Sequence, residues 1–245
     1  IKIESQIAKG VVLANGEEIS ANTILSSADP KHTLLKLVGA QDLPPEFVWH
    51  TQSIKMRGSV AKVHLLVHDI VGAGLVPALG GDAQQTGRQG SPLHTMVIAP
   101  SIKYLERAYD AAKYGEISEK PYLEVTTVGN TVSIHFQFAP YALKNGEWKV
   151  ESAEVANLAI KTLEEYFPAL HASLITHHII TPLDLEITYG LTEGDLNHGQ
   201  LMLDQFLFMR PIPGWSNHKT PMDNLYLCGS GVHGGGGVSG AAGRN

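Results

Sequence analysis

The chain is poor in cysteine, in concentrated charge and in long apolar runs. Its 245 residues hold one cysteine, Cys228. No internal disulfide can form, so a reducing compartment is the simpler expectation: the cytoplasm, or the mitochondrial matrix in a eukaryote, and not secretion. The formal net charge is −6 and no dense Lys/Arg run occurs, which argues against a nucleic-acid partner. No run of 18 apolar residues exists to span a membrane, and no signal peptide is visible. Twelve histidines invite a metal site, but their spacing refuses one. His177 and His178 are adjacent on a probable strand and point to opposite faces, Val63 to Val67 around His64 reads as strand, and no His-Glu-x-x-His or cysteine cluster occurs. The Gly-x-Ser-x-Gly elbow of a serine hydrolase is missing. So is the lysine that a phosphate loop needs after its glycines, since none follows Lys219. No Gly-x-Gly-x-x-Gly opens a βαβ unit.

What is present suits one or two globular domains, with 43% hydrophobic and 17% charged residues. Val11 to Leu13 and Glu18-Ile19 flank Asn15-Gly16, a strong hairpin signal. Thr23 to Leu25 reads as a further strand, 31–39 as a short helix, and Pro44-Pro45 as a turn. Val60 to Val67, Tyr122 to Val128, Thr131 to Phe138 and Leu174 to Ile180 read as strands, and Met96 to Ile98 as a short apolar stretch. Residues 71–92 read as loop. Ser101 is placed to cap a helix through Ala112, and Ser152 to Phe167 carries the best helical stripe. Pro182 to Pro221 reads as turns with a short strand near Phe206 to Met209, and Asp204 and Arg210 form a candidate ion pair there. These elements give an α/β or α+β class.

The C-terminus is the most informative part. An apolar run, Leu225 to Cys228, breaks at Gly229-Ser230-Gly231, and the tract Gly234 to Gly237 follows before small residues that could open a helix at Val238. Strand, glycine turn and helix start is a layout that brings bare backbone N–H groups against a polar ligand, because glycine permits positive φ and carries no Cβ. Leu225-Tyr-Leu-Cys-Gly-Ser-Gly-Val-His-Gly-Gly-Gly-Gly-Val-Ser-Gly-Ala-Ala-Gly-Arg-Asn245 resembles the flavin-binding signature of phytoene dehydrogenase-like FAD oxidoreductases, within the wider amine oxidase and carotenoid desaturase group. Gly234 stands where the usual pattern has proline. Leu191 to Gly199, Leu203-Asp-Gln205, Arg210 to Gly214 and Thr220-Pro221 agree with the same family, as do Gly10 to Ile19 and Ala21 to Pro30. Within that group the chain most resembles the branch named after pyridine nucleotide-disulfide oxidoreductase domains.

The resemblance implies a C-terminal portion of a longer enzyme, lacking the N-terminal FAD domain with its Gly-x-Gly-x-x-Gly. Residues 1–30 and 222–245 would be remnants of a Rossmann-like FAD-binding domain, and 31–221 a mixed-sheet substrate domain flanked by helices. It implies FAD as cofactor of the parent, absent from this portion, and hydride transfer from a small apolar substrate. The positions it assigns to cofactor contact are Gly229, Ser230, Gly231, His233, Gly235, Gly236, Gly237 and Val238, with Ser27 and Asp29 at the end of the preceding strand. His198 and His233 are the candidate catalytic residues, and His233 has an equally good reading as a packed turn residue. Peripheral membrane contact and self-association stay open as expectations. The competing reading is a non-catalytic binding or oligomerisation module on the same fold.

Overall fold

The computed structural model describes residues 1–70, 73–75, 94–237 and 240–244. Helices and three sheets alternate along the chain, which is the class expected. They form two compact units, Ile1–Arg57 with Leu185–Asn245, and Gly58–Asp184.

The first unit begins with β1 (Lys2–Glu4), β2 (Ile7–Val12) and β3 (Glu18–Ser20), an antiparallel sheet in that order. Its hairpin closes where Asn15-Gly16 predicts. Val11 pairs with Ile19, Leu13 N donates to Glu17 O, and Gly16 takes φ 86°. β4 (Ile24–Ser26) follows, then a π-helix, His32–Gly39. α1 (Pro45–Ser53) starts at a proline. The expected turn at Pro44-Pro45 is therefore a helix start, since proline's fixed φ and missing N–H suit the first helical position.

The second unit is built on a five-stranded sheet ordered β6-β7-β8-β5-β9. Its strands are β5 (Val60–Val67), β6 (His94–Ile98), β7 (Tyr122–Val128), β8 (Thr131–Gln137) and β9 (Leu174–Ile180). All four pairings are antiparallel. Alternation places Val63, Leu65, Leu123, Val125, Ile134 and Phe136 in one core, as a half-buried sheet requires. α2 (Ile102–Lys113) is capped by Ser101, whose Oγ accepts from Tyr104 N. α3 (Trp148–Glu164) lays Val155, Ala159 and Leu163 into that core, and the one-turn α4 (Leu170–Ser173) adds Leu170.

α5 (Pro182–Tyr189) occupies a stretch expected to be turns; again a proline opens it. The expected strand at Phe206 to Met209 is instead a 3-10 turn over Leu207–Met209, with Leu207 at φ 51°. Leu207 and Phe208 are exposed, so no described strand claims them. The chain ends in β10 (Leu225–Leu227) and α6 (Ala241–Arg244).

The packing does not divide at 30/31 and 221/222. Leu34, Val38, Phe47, Ile54 and Ile212 share a core with Ala8, Ile24, Leu225 and Leu227. Residues 31–57 and 185–221 thus fold with the terminal segments, because their apolar side chains are what buries β4 and β10. Of the expected loop 71–92, only 73–75 lie within the described residues.

Candidate functional site

β4 and β10 lie side by side and parallel, Ile24 against Leu225 and Ser26 against Leu227. Cys228 N extends the ladder to Ser26 O at 2.8 Å. Two loops therefore leave the same edge together, Ser27 to Pro30 and Gly229 onward. The carboxyl ends of parallel strands are where open α/β sheets bind ligands, because the ladder stops there and backbone groups turn outward. Gly229 holds φ 82°, and a Cβ on it would sit 3.4 Å from Ser27 O.

Asp29 clamps the first loop. It is 1% exposed, and its carboxylate accepts from His32 N at 2.8 Å, Thr192 N at 2.9 Å and Thr192 Oγ1 at 3.0 Å. These contacts make Asp29 the fastener of the corner and leave the exposed Ser27 as its outward-facing side chain. Pro30, next along, packs against Gly231: a Cβ there would lie 2.6 Å from Pro30 Cδ and 3.3 Å from His198 Cβ. The sequence thus brings three predicted positions, Asp29, Gly231 and His198, to one place.

His198 sits at φ 56° in the turn that Asp195 organises. Asp195 Oδ1 accepts from Asn197 N and Oδ2 from Arg57 N, and its carbonyl accepts from His198 N. Burial lowers the His198 pKa below 6.5; Asp29 and Asp195 oppose that shift and Arg210 adds to it. Its Nδ1 is buried and has no hydrogen-bond partner among the described residues, and the same holds for His233 Nδ1. A buried polar atom without a partner costs free energy unless something else meets it.

Beyond Val232, which is anchored in the core, the glycine tract turns outward. Gly235 N donates to Val232 O at 3.0 Å. Gly234, Gly235 and Gly237 hold φ of 95°, 63° and 97°, and a Cβ on Gly235 or Gly237 would meet nothing within 4 Å. Gly236 lies beside the Ser230 hydroxyl. Val238, the last predicted contact and the expected helix start, lies outside the described residues; the described helix begins at Ala241. An open run of left-handed glycines, a neutral hydroxyl and two unsatisfied imidazole nitrogens fit the polar edge of a planar heteroaromatic cofactor such as a flavin. They supply donors and space without a fixed charge.

One expected pairing is overturned. Asp204 and Arg210 do not form an ion pair: Asp204 Oδ2 binds Lys55 Nζ at 2.6 Å, while Arg210 is 3% exposed and turned inward. Its Nε donates to Ser230 O at 2.9 Å, Nη1 to Gly199 O at 3.2 Å, and Nη2 to Asn197 O. Neighbours in sequence were poor guides, because the partner of Asp204 is about 150 residues away. Asp195 and Arg210 were not predicted as cofactor-binding or catalytic residues; Asp195 lies in the Leu191 to Gly199 family segment, and Arg210 entered only as the expected partner of Asp204 and the start of the Arg210 to Gly214 segment.

The depressed His198 pKa has a sign that can be checked. The unfolded imidazole binds its proton near 6.5, and the folded one only below that. Stability is therefore full above pH 6.5 and falls as pH drops through it toward the folded pKa. His64 and His135 are lowered by burial in the same direction. His198→Gln should flatten part of the decline in urea midpoint between pH 7 and 5. An unchanged slope would contradict the buried neutral imidazole.

No protein-family model matches the chain. Pyridine nucleotide-disulfide oxidoreductase domain-containing protein 2 of Rattus norvegicus is 35% identical over 250 residues, spanning 97% of this chain and 42% of that protein. A lycopene-forming phytoene desaturase from Paracoccus is 27% identical over 242 residues, 96% of this chain and 45% of that protein. The chain is homologous to both over nearly its whole length, and it spans less than half the length of either. The family resemblance read from the C-terminal motif is borne out. An oxidoreductase of known structure from Methanosarcina mazei aligns with TM-score 0.46 at 15% identity, covering 97% of this chain and 44% of its own.

Proposed function

We propose, from that homology, that the chain supplies the flavin-edge loop and a substrate-side sheet of an FAD-dependent, phytoene desaturase-like oxidoreductase that takes hydride from an apolar substrate. The observation that carries the reading is the pair of loops at the carboxyl ends of β4 and β10, with open space beside Gly235 and Gly237 and two imidazole nitrogens unpartnered. The bound flavin would supply the two-electron chemistry. The residues of this chain would hold it. Backbone N–H groups of the Gly231 to Gly237 loop, apart from Gly235 N, which is held by Val232 O, would face its polar edge, Ser27 and Ser230 would offer neutral hydrogen bonds, and Gly229 would let the backbone approach. His198, whose pKa burial lowers, and His233 would donate or accept at their Nδ1 atoms, which no described group meets. The unit Gly58–Asp184, with its antiparallel sheet, would be the substrate domain.

A titration with FAD, followed by amide chemical shifts of the labelled protein, tests this. Shifts should concentrate in Gly229 to Gly237 and around Ser27 and His198, and should be weak where only part of the cofactor's contacts are offered. Shifts confined to residues 58–184, or none at millimolar FAD, would end the proposal.

A further inference from the structure

We propose that Arg210 is the positioning residue of the glycine loop: its buried guanidinium locks the Ser230 carbonyl to the Asn197–Gly199 turn, and so fixes which way the amides after Gly231 face. This rests on the flavin reading for its purpose but not for its geometry. Arg210 is 3% exposed, and all three of its nitrogens donate to backbone carbonyls. Among the described residues it makes no ion pair within hydrogen-bonding distance; Asp195 acts on it only through space. A buried guanidinium normally meets a carboxylate, because its desolvation is costly. Here it spends its fork on two chain segments that no backbone ladder joins. One segment carries His198, the other Ser230 and Gly231.

The planar fork is what the arrangement needs. Its Nε serves Ser230 O while Nη1 and Nη2 serve Gly199 O and Asn197 O, and a lysine ammonium offers a single point charge in place of that fork. Gly231 is already squeezed between Pro30 and His198, so a shift of either segment moves the loop. Removing the fork leaves carbonyls without a donor in a buried place, and the loop swings to find water. The glycines beyond it face open space at Gly235 and Gly237, and besides this lock their direction is held by the core anchor at Val232 and the Gly235 N–Val232 O bond.

Amide hydrogen exchange of the cofactor-free chain and FAD titration separate the two questions. In Arg210→Lys, exchange at His198 and Gly235, which donate to Asp195 O and Val232 O, should quicken at least about tenfold, while Cys228 and Ala8, held by Ser26 O and Asp223 O, stay as in the parent chain. Arg210→Ala should show the same pattern, and about 20 mM guanidinium should restore protection by refilling the vacated space. FAD affinity should fall about tenfold in Arg210→Lys. Unchanged exchange at His198 and Gly235, or equal loosening at all four amides, overturns the proposal, because neither is what a local lock would give. If the parent chain shows no FAD-induced shifts, the flavin reading fails, and the exchange pattern still decides the role of Arg210.

Discussion

Gly231→Ala should lower unfolding stability by about 2 kcal/mol and abolish any FAD-induced shifts in the loop. The added Cβ would lie 2.6 Å from Pro30 Cδ and 2.9 Å from Pro30 Cγ, closer than packed carbons come. Pro30 cannot yield easily. Its ring is rigid, and Asp29 before it is fastened by three hydrogen bonds. His198 Cβ, 3.3 Å away, blocks the other direction. Gly231 is not in the left-handed region, so the cost is crowding rather than backbone strain. Gly235→Ala is the contrast. Its Cβ meets nothing, but φ is 63°, so only the conformational penalty of about 1 kcal/mol applies. Urea unfolding of both variants decides the matter. A smaller loss at Gly231 than at Gly235 would mean that the loop and the Pro30 corner are not packed as described.

Asp29→Ala should cost about 3 kcal/mol, since it strands two backbone N–H groups and a hydroxyl in a buried corner. The loss of the clamp would free the start of the π-helix at His32 and the turn at Thr192 together. Asp29→Asn keeps one acceptor oxygen and should cost about half as much. If Asp29→Ala unfolds within about 0.5 kcal/mol of the parent chain, the carboxylate is not holding these segments, and a direct contact with ligand becomes the better account of it.

Much of the second unit was legible because its signals are local. Val132, Ile134 and Phe136 alternate with polar neighbours, and β8 follows them. Ser101 announces α2, and in the first unit Asn15-Gly16 announces the β2–β3 turn. Two helices were missed for one reason: Pro45 and Pro182 look like breaks, yet each opens a helix. Phe206 to Met209 looked like a strand because four apolar residues have no period of their own to argue otherwise. In the site, the glycine loop was legible from its spacing and from resemblance. The lock beneath it was not. Arg210 binds three main-chain oxygens, and main-chain acceptors carry no residue identity for a reader of sequence to find. Gln205, which exchanges hydrogen bonds with both Lys55 N and Lys55 O, was hidden for the same reason.

The parallel pairing of Ile24–Ser26 with Leu225–Leu227 sets an order on synthesis. Closing a contact across some 200 residues carries a chain-entropy cost that must be met before the pairing stabilises anything. Residues 58–184 form one unbroken stretch and can settle as soon as they leave the ribosome. Residues 1–57 cannot, because Ala8 N and Ile24 N await Asp223 O and Asn224 O. Residues 1–57 are thus finished last. A ribosome stalled before Asp223 would release a product in which residues 58–184 are folded while Ala8 and Ile24 are still searching for their partners, which is the form on which a chaperone or a protease would act.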